Sequence, residues 1–148
     1  MTTYIKNRKA HFNYEILETF EAGLVLCGHE VKAVRTGKGK FDGSYIIIRG
    51  GEAFLTGASI APYQPLNTPK DYDPERVRKI LLSKKELLRL ENQTETARLT
   101  AIPLKLYNSG RKIKLEIALA RGKKKYDKRE TLKARDSKRD IERTLKNQ

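Results

Sequence analysis

The 148-residue sequence predicts a mainly-β fold: a small closed or nearly closed antiparallel barrel with short helices and a basic C-terminal tail. Three observations lead there. Apolar and polar residues alternate over several short runs, the period of a half-buried strand. Glycine-bearing turn segments separate those runs at hairpin spacing. The last fifth of the chain is rich in charge and poor in core-forming side chains.

Taken in order, residues 14–20 and 24–26 are expected to pair, turning at Glu21-Ala22-Gly23. In residues 28–35, Val31 and Val34 have helical spacing while Val31 and Ala33 have strand spacing, and a short helix is preferred. Residues 45–48 and 53–55 form a hairpin about Arg49-Gly50-Gly51-Glu52. Residues 62–74 hold four of the five prolines and read as a long loop. Residues 78–82 are read as a strand, because Ser83-Lys84-Lys85-Glu86 is a capping box that starts a new helix over 84–91. Ile102, Leu104 and Leu106 alternate within 99–107, where Pro103 suggests an edge position or a bulge. After Asn108-Ser109-Gly110, residues 112–120 put Ile113, Leu115, Ile117 and Leu119 on one face.

Composition narrows the class. Lys+Arg number 32 against 18 Asp+Glu, a net charge of +14 that calls for a polyanionic partner. From Arg121 onward there are 12 Lys/Arg and 5 Asp/Glu, so half of the net charge falls in the last 28 residues. Such a segment is expected to be disordered when free. Two units follow: a barrel over 1–122 and a tail over 123–148. No run of 18 apolar residues, no signal-like N-terminus and a single cysteine, Cys27, point to a cytoplasmic protein without a membrane span.

Catalytic patterns are scarce. Cys27 and His29 alone do not make a metal site. Gly37-Lys38-Gly39-Lys40 lacks the spacing of a phosphate loop and reads as a basic turn. Asp71 and Asp73 sit in the proline-rich loop with no histidine nearby, and no nucleophile elbow is present. The expectation is no enzyme, no metal and no cofactor. Basic clusters interleaved with aromatics are commoner: Asn7-Arg8-Lys9 near Phe12, Arg76-x-Arg78-Lys79, and Lys123-Lys124-Lys125-Tyr126 with Lys128-Arg129. Cations bind phosphates and rings stack on unpaired bases, so the clusters favour nucleic acid.

Several ordered motifs resemble the SmpB family of tmRNA-binding proteins. They are Asn7-Arg8-Lys9-Ala10, Phe20-Glu21-Ala22-Gly23-Leu24-Val25-Leu26, and Gly28-x-Glu30-Val31-Lys32-x-x-Arg35-x-Gly37-Lys38. Gly51-Glu52-Ala53-Phe54-Leu55, Asp73-Pro74-x-Arg76-x-Arg78-Lys79-Ile80-Leu81-Leu82 and Ala120-Arg121-Gly122-Lys123-Lys124-Lys125-Tyr126-Asp127-Lys128-Arg129 continue the series. The resemblance implies an oligonucleotide-binding barrel that binds the tRNA-like domain of tmRNA and accompanies it to stalled ribosomes. It implies small-subunit rRNA as a second partner, with alanyl-tRNA synthetase and elongation factor Tu met indirectly by a monomer.

It also assigns residues. Asn7, Arg8, Lys9, Glu21, Lys32, Arg35, Arg78, Lys79, Leu81, Gly122, Lys123 and Lys124 fall to RNA binding. A carboxylate such as Glu21 can accept from base amino groups or a ribose hydroxyl; its plainer reading is a turn residue, and that of Leu81 is barrel core. Ser83 departs from the Asn or His often found there, which favours capping. Tyr126, Asp127, Lys128 and Arg129 fall to the decoding centre, with Ile141 and Leu145 making an i, i+4 face once the tail is helical in the mRNA channel. Two other readings remain: a general single-strand-binding barrel, and a resident ribosomal protein whose tail threads rRNA. A nuclease is the most remote.

Overall fold

A computed structural model of the chain describes residues 2–123. In order these form β1 (Thr3–Lys6), α1 (Ala10–Asn13), β2 (Tyr14–Leu24), α2 (Gly28–Arg35), β3 (Gly39–Lys40), β4 (Tyr45–Arg49), β5 (Glu52–Thr56) and β6 (Ser59–Ile60). A 3₁₀ turn at Pro65–Asn67 lies within the proline-rich loop, followed by β7 (Arg78–Leu81), α3 (Lys84–Thr96), β8 (Thr100–Ser109) and β9 (Lys112–Gly122). The predicted tail residues Lys124, Tyr126, Asp127, Lys128, Arg129, Ile141 and Leu145 lie outside the described residues.

Seven strands make one antiparallel sheet in the order β1-β8-β9-β2-β7-β5-β4, and β3 pairs with β6 in a small separate ribbon. β4, at the far edge, comes back against β8, so the sheet curls into a nearly closed barrel with α3 packed against β4, β8 and β9. The β4–β5 hairpin turns on Gly50 and Gly51, both at positive φ (58° and 75°), the backbone that a two-residue hairpin loop requires. Ser83 and Glu86 exchange capping hydrogen bonds, and the break they impose ends β7 before α3 begins. The expected helix over 28–35 is present as α2. The helix expected over 84–91 runs on to Thr96.

The core lies inside the barrel, where Phe20, Ala22, Leu55, Ile80, Leu90, Leu106, Leu115, Ile117 and Leu119 pack together. A second, smaller cluster sits on the outside of the sheet, where Ala10 of α1 covers Ile102, Leu104, Ala118 and Ala120. The outer face of β9 therefore changes character along its length. Lys112, Lys114 and Glu116 keep contact with solvent, whereas Ala118 and Ala120 are small enough to lie beneath α1.

Two expectations are corrected. Residues 21–23 do not turn: Tyr14–Leu24 is one strand that pairs with β9 from Tyr14 to Gly23. Gly23 is needed for packing instead, since a Cβ there would come within 3.2 Å of the Leu81 Cβ. Nor do Ile102, Leu104 and Leu106 share a face. The register shifts between Pro103 and Lys105, a bulge of the kind that proline suggested. It leaves Ile102 and Leu104 in the outer cluster and turns Leu106 into the barrel. β8 is flanked by β1 and β9, so Pro103 is not on an edge strand. The short elements β1, α1, β3 and β6 have too few residues to show a period.

Candidate nucleic-acid interface

The face that can meet RNA hangs on β7, and β7 is held from its inner side. Arg78 is fully buried, as is Glu30 of α2. Arg78 donates from Nε and Nη2 to Glu30 Oε2 at 2.9 and 2.7 Å, from Nη1 to Ala58 O at 3.0 Å, and from Nη2 to Pro74 O at 2.9 Å. Arg76 pairs with the other Glu30 oxygen, and Glu30 Oε1 also accepts the Cys27 N–H at 2.8 Å, capping α2. The Tyr72 hydroxyl donates to Ile60 O at 2.8 Å and accepts from Arg78. Burial pushes the Glu30 carboxyl up, but the hydrogen bonds from Arg76, Cys27 and Arg78 outweigh it and bring the pKa down to about 2.

Arg78 is thus removed from the set of RNA-facing residues, because a side chain with no exposed surface cannot reach a phosphate. Its place in a basic cluster looked like a surface signal, but it is the counter-charge of Glu30. Buried pairs of this kind are expensive to break rather than sources of net stability.

On the outer side of β7, Leu81 is 52% exposed and so is not core. Its side chain lies over Gly23, its cross-strand partner on β2. Around it is a cleft of about 320 Å³ lined by Gly23, Val31, Arg35, Leu81, Arg111, Lys112 and Lys114. Arg35 reaches from α2 toward the β8–β9 turn, its Nη2 3.4 Å from Arg111 O. Glu21 lies two residues before Gly23 on the same outer face and is exposed. An apolar side chain, a carboxylate and four cations are thus gathered on one patch of sheet. Lys79, on the same side of β7, is exposed and pairs with Glu52 at 3.2 Å.

The other predicted residues fall elsewhere. Asn7 donates from Nδ2 to Pro103 O at 2.8 Å, bracing the bulge in β8, so its amide is a structural group. Arg8 and Lys9 are exposed and line a second cleft together with Lys6 and Lys40. Gly122 ends β9 with open space where a Cβ would stand. Lys123 turns back onto α1, its N–H donating to Asn13 O at 2.9 Å and its Nζ to His11 O at 2.8 Å. Lys32 is exposed on α2 but lines a different cavity, near His29, Tyr63 and Gln64. Cys27 and His29 serve the start of α2, with His29 edge-on to Tyr72 at 4.7 Å between ring centroids. Among the described residues no group of three or more His, Cys, Asp or Glu is placed to hold a metal ion. No described helix is long and apolar enough to cross a membrane.

Sequence reasoning missed Arg111, Lys112 and Lys114 as members of the cleft. Their signal was present, since three basic residues crowd the turn and first outward positions of a recognisable hairpin.

Comparison with known proteins places this geometry. The model of the SmpB protein family matches residues 4–147. The SsrA-binding protein of Microcystis aeruginosa is 49% identical over 140 residues, covering 95% of this chain and 91% of that protein. The SsrA-binding protein of Chlorobaculum tepidum is 49% identical over 145 residues, covering 97% and 92%. A solved chain from "tmRNA-SmpB: a journey to the center of the bacterial ribosome" superposes with a TM-score of 0.68 at 47% identity, covering 81% of this chain and 84% of that one. With a family model along nearly all of its length, and relatives close to half identical from end to end, this chain belongs to the SmpB family.

Proposed function

We propose that this chain binds tmRNA through its tRNA-like domain and accompanies it to stalled ribosomes in trans-translation, acting by binding and without catalysis. The observation that carries the reading is the outer face of β7 and β2. There Leu81 stands half exposed over Gly23, two residues along the same face of β2 from Glu21, in a cleft shared with Arg35, Arg111, Lys112 and Lys114. The cations supply phosphate affinity, and the leucine offers an apolar contact to a ribose or base face. Glu21 accepts from base amino or 2′-hydroxyl groups, which discriminates among RNAs as phosphate contacts do not. The names of the relatives, SsrA-binding proteins and a chain studied with tmRNA on the bacterial ribosome, support the same reading.

In this proposal residues 1–122 are the tmRNA-binding barrel. Residues 123–148 enter the decoding centre and mRNA channel as a helix, with Tyr126, Asp127, Lys128 and Arg129 at the decoding centre and Ile141 and Leu145 on one helical face. Small-subunit rRNA is then the second partner of a cytoplasmic monomer, and alanyl-tRNA synthetase and elongation factor Tu are met through tmRNA.

The test is a gel-shift competition at near-physiological salt with labelled tRNA-like domain. Excess ordinary tRNA and single-stranded RNA compete, for the full chain and for a chain ending at Lys123, which keeps the whole of β9 and its tie to α1. Retention of the probe through both competitors is the expected result. Displacement by single-stranded RNA as readily as by unlabelled probe would leave a general RNA-binding barrel.

A further inference from the structure

The turn that leads from β1 into α1 is held at both ends. β1 runs opposite β8 as far as Lys6, whose partner is Lys105. The next residue, Asn7, meets β8 where the β8–β9 register slips between Pro103 and Lys105. There the Asn7 N–H donates to Leu104 O at 2.7 Å and its Nδ2 to Pro103 O at 2.8 Å. One residue thus takes two consecutive carbonyls of the bulge, one with its main chain and one with its side chain. The Asn7 carbonyl accepts the Ala10 N–H at 3.3 Å, which closes a four-residue turn. Ala10 is itself buried against Ile102 and Leu104, the apolar side chains that the same bulge leaves on the outside of the sheet.

The two central positions of that turn are Arg8 and Lys9, and both are exposed. Lys9 has φ −89° and ψ −5°, the values of the third residue of a type I turn, in which asparagine is a favoured first residue. With its ends tied to the bulge, the turn cannot swing as a free surface loop would, and the two cations share a fixed crest. They line the cleft of about 650 Å³ together with Lys6 and Lys40. Asp42 lines it too, but among the described residues neither Arg8 nor Lys9 forms an ion pair.

We infer that Asn7 is a positioning residue for RNA binding: its two bonds to the bulge fix the turn that presents Arg8 and Lys9 to RNA phosphate. The inference rests on the RNA-binding reading of the barrel given above. Cations on a fixed turn lose less conformational freedom on meeting a phosphate than the same cations on a loose loop, and that saving appears as affinity. Asn7 needs no contact with RNA in this arrangement. Its effect passes through the bulge and the turn.

The experiment is a mutant cycle on the full chain with Asn7→Ala, the pair Arg8→Ala and Lys9→Ala, and all three together, read by affinity across a salt series. Two arms supply the phosphate, the labelled tRNA-like domain and purified small ribosomal subunits. Thermal melts set an assay temperature at which every variant is folded. In at least one arm, removing the two cations is expected to lower the slope of log affinity against log salt by about 2. Asn7→Ala should lower it by about 1 and weaken binding roughly fivefold at near-physiological salt, the scale of one phosphate contact. The triple variant should bind no worse than the chain lacking the two cations. A loss in Asn7→Ala that leaves the slope unchanged, or that persists without the two cations, would put Asn7 against RNA itself and overturn the inference. Parent-like binding by Asn7→Ala in both arms would overturn it as well. Failure of the parent chain to hold the tRNA-like domain against competitors would instead overturn the proposed function. A second measurement needs no RNA. The backbone ¹⁵N order parameters of Arg8 and Lys9 should stand at about 0.85 in the parent and fall below about 0.6 in Asn7→Ala, or in the isosteric Asn7→Asp should the alanine variant not fold. Unchanged order shows that the turn does not depend on Asn7 and overturns the inference.

Discussion

On the inner side of β7, Arg78 is sealed from solvent and spends its donors on Glu30 and four neighbouring oxygens. On the outer side of the same short strand, Lys79 and Leu81 stand in solvent. The two sides differ in what water does to a charge. Inside, the guanidinium is useful only as the answer to one carboxylate, and together they lock α2, the 61–77 loop and β7 into one unit. Outside, Arg35, Arg111, Lys112 and Lys114 remain hydrated, and a hydrated cation keeps its attraction for a phosphate backbone. Adjacent basic residues can therefore do unrelated work, and burial separates the architectural ones from those that recognise a partner.

That contrast can be broken most forcefully from the inside. Glu30→Gln leaves Arg78 buried without a counter-charge and should cost about 3–5 kcal/mol, read as a lower urea midpoint. Acid does the same reversibly. The Glu30 carboxyl titrates near 2 in the folded protein against 4.5 unfolded, so its contribution is complete above about pH 4.5 and drains away as pH falls toward 2. Urea titrations at stepped pH should lose on the order of 3 kcal/mol over that window, and a flat profile would show the pair to be electrostatically idle.

Gly23→Ala lies between the two sides. The new methyl meets the Leu81 Cβ at 3.2 Å, which should cost about 1–2 kcal/mol of stability and tilt Leu81 out of its place. Thermal melts and the gel shift should both register it. Leu81→Ala sharpens the contrast from outside. Because the side chain is half exposed, stability should change by no more than about 1 kcal/mol, while affinity for the tRNA-like domain falls roughly tenfold. Lys112→Ala should leave the melt unmoved and lower the slope of log affinity against log salt by about 1.

How much of this could be read beforehand follows the same division. The β4–β5 and β8–β9 hairpins were legible because alternation and glycine turns are local signals. The Ser83 capping box correctly divided β7 from α3 for the same reason. Gly23 misled because a glycine in a polar stretch reads as a turn, whereas here it makes room for a side chain from another strand. Arg78 misled because its partner, Glu30, lies 48 residues away and no spacing rule connects them. Leu106 was given the wrong company because one bulge after Pro103 exchanges the two faces of β8. Of the candidate interface, Glu21, Arg35 and Leu81 came from family motifs. The turn cations came only with the folded geometry.

The pairing of β2 with β9 sets the tempo at which this molecule can come into being. Tyr14 finds its partner at Gly122, and Thr3 of β1 finds its own at Tyr107, so the sheet is sewn together by contacts about a hundred residues apart. Local hairpins can form within about 1–10 μs, but the barrel cannot close around Phe20 until nearly all of its strands have been made. A chain of this high contact order is expected to fold in roughly milliseconds to seconds. During that interval, and throughout synthesis, the long β2 strand is an unpaired edge, and its Glu15, Glu18 and Glu21 are the charges that keep one nascent copy from pairing with the next.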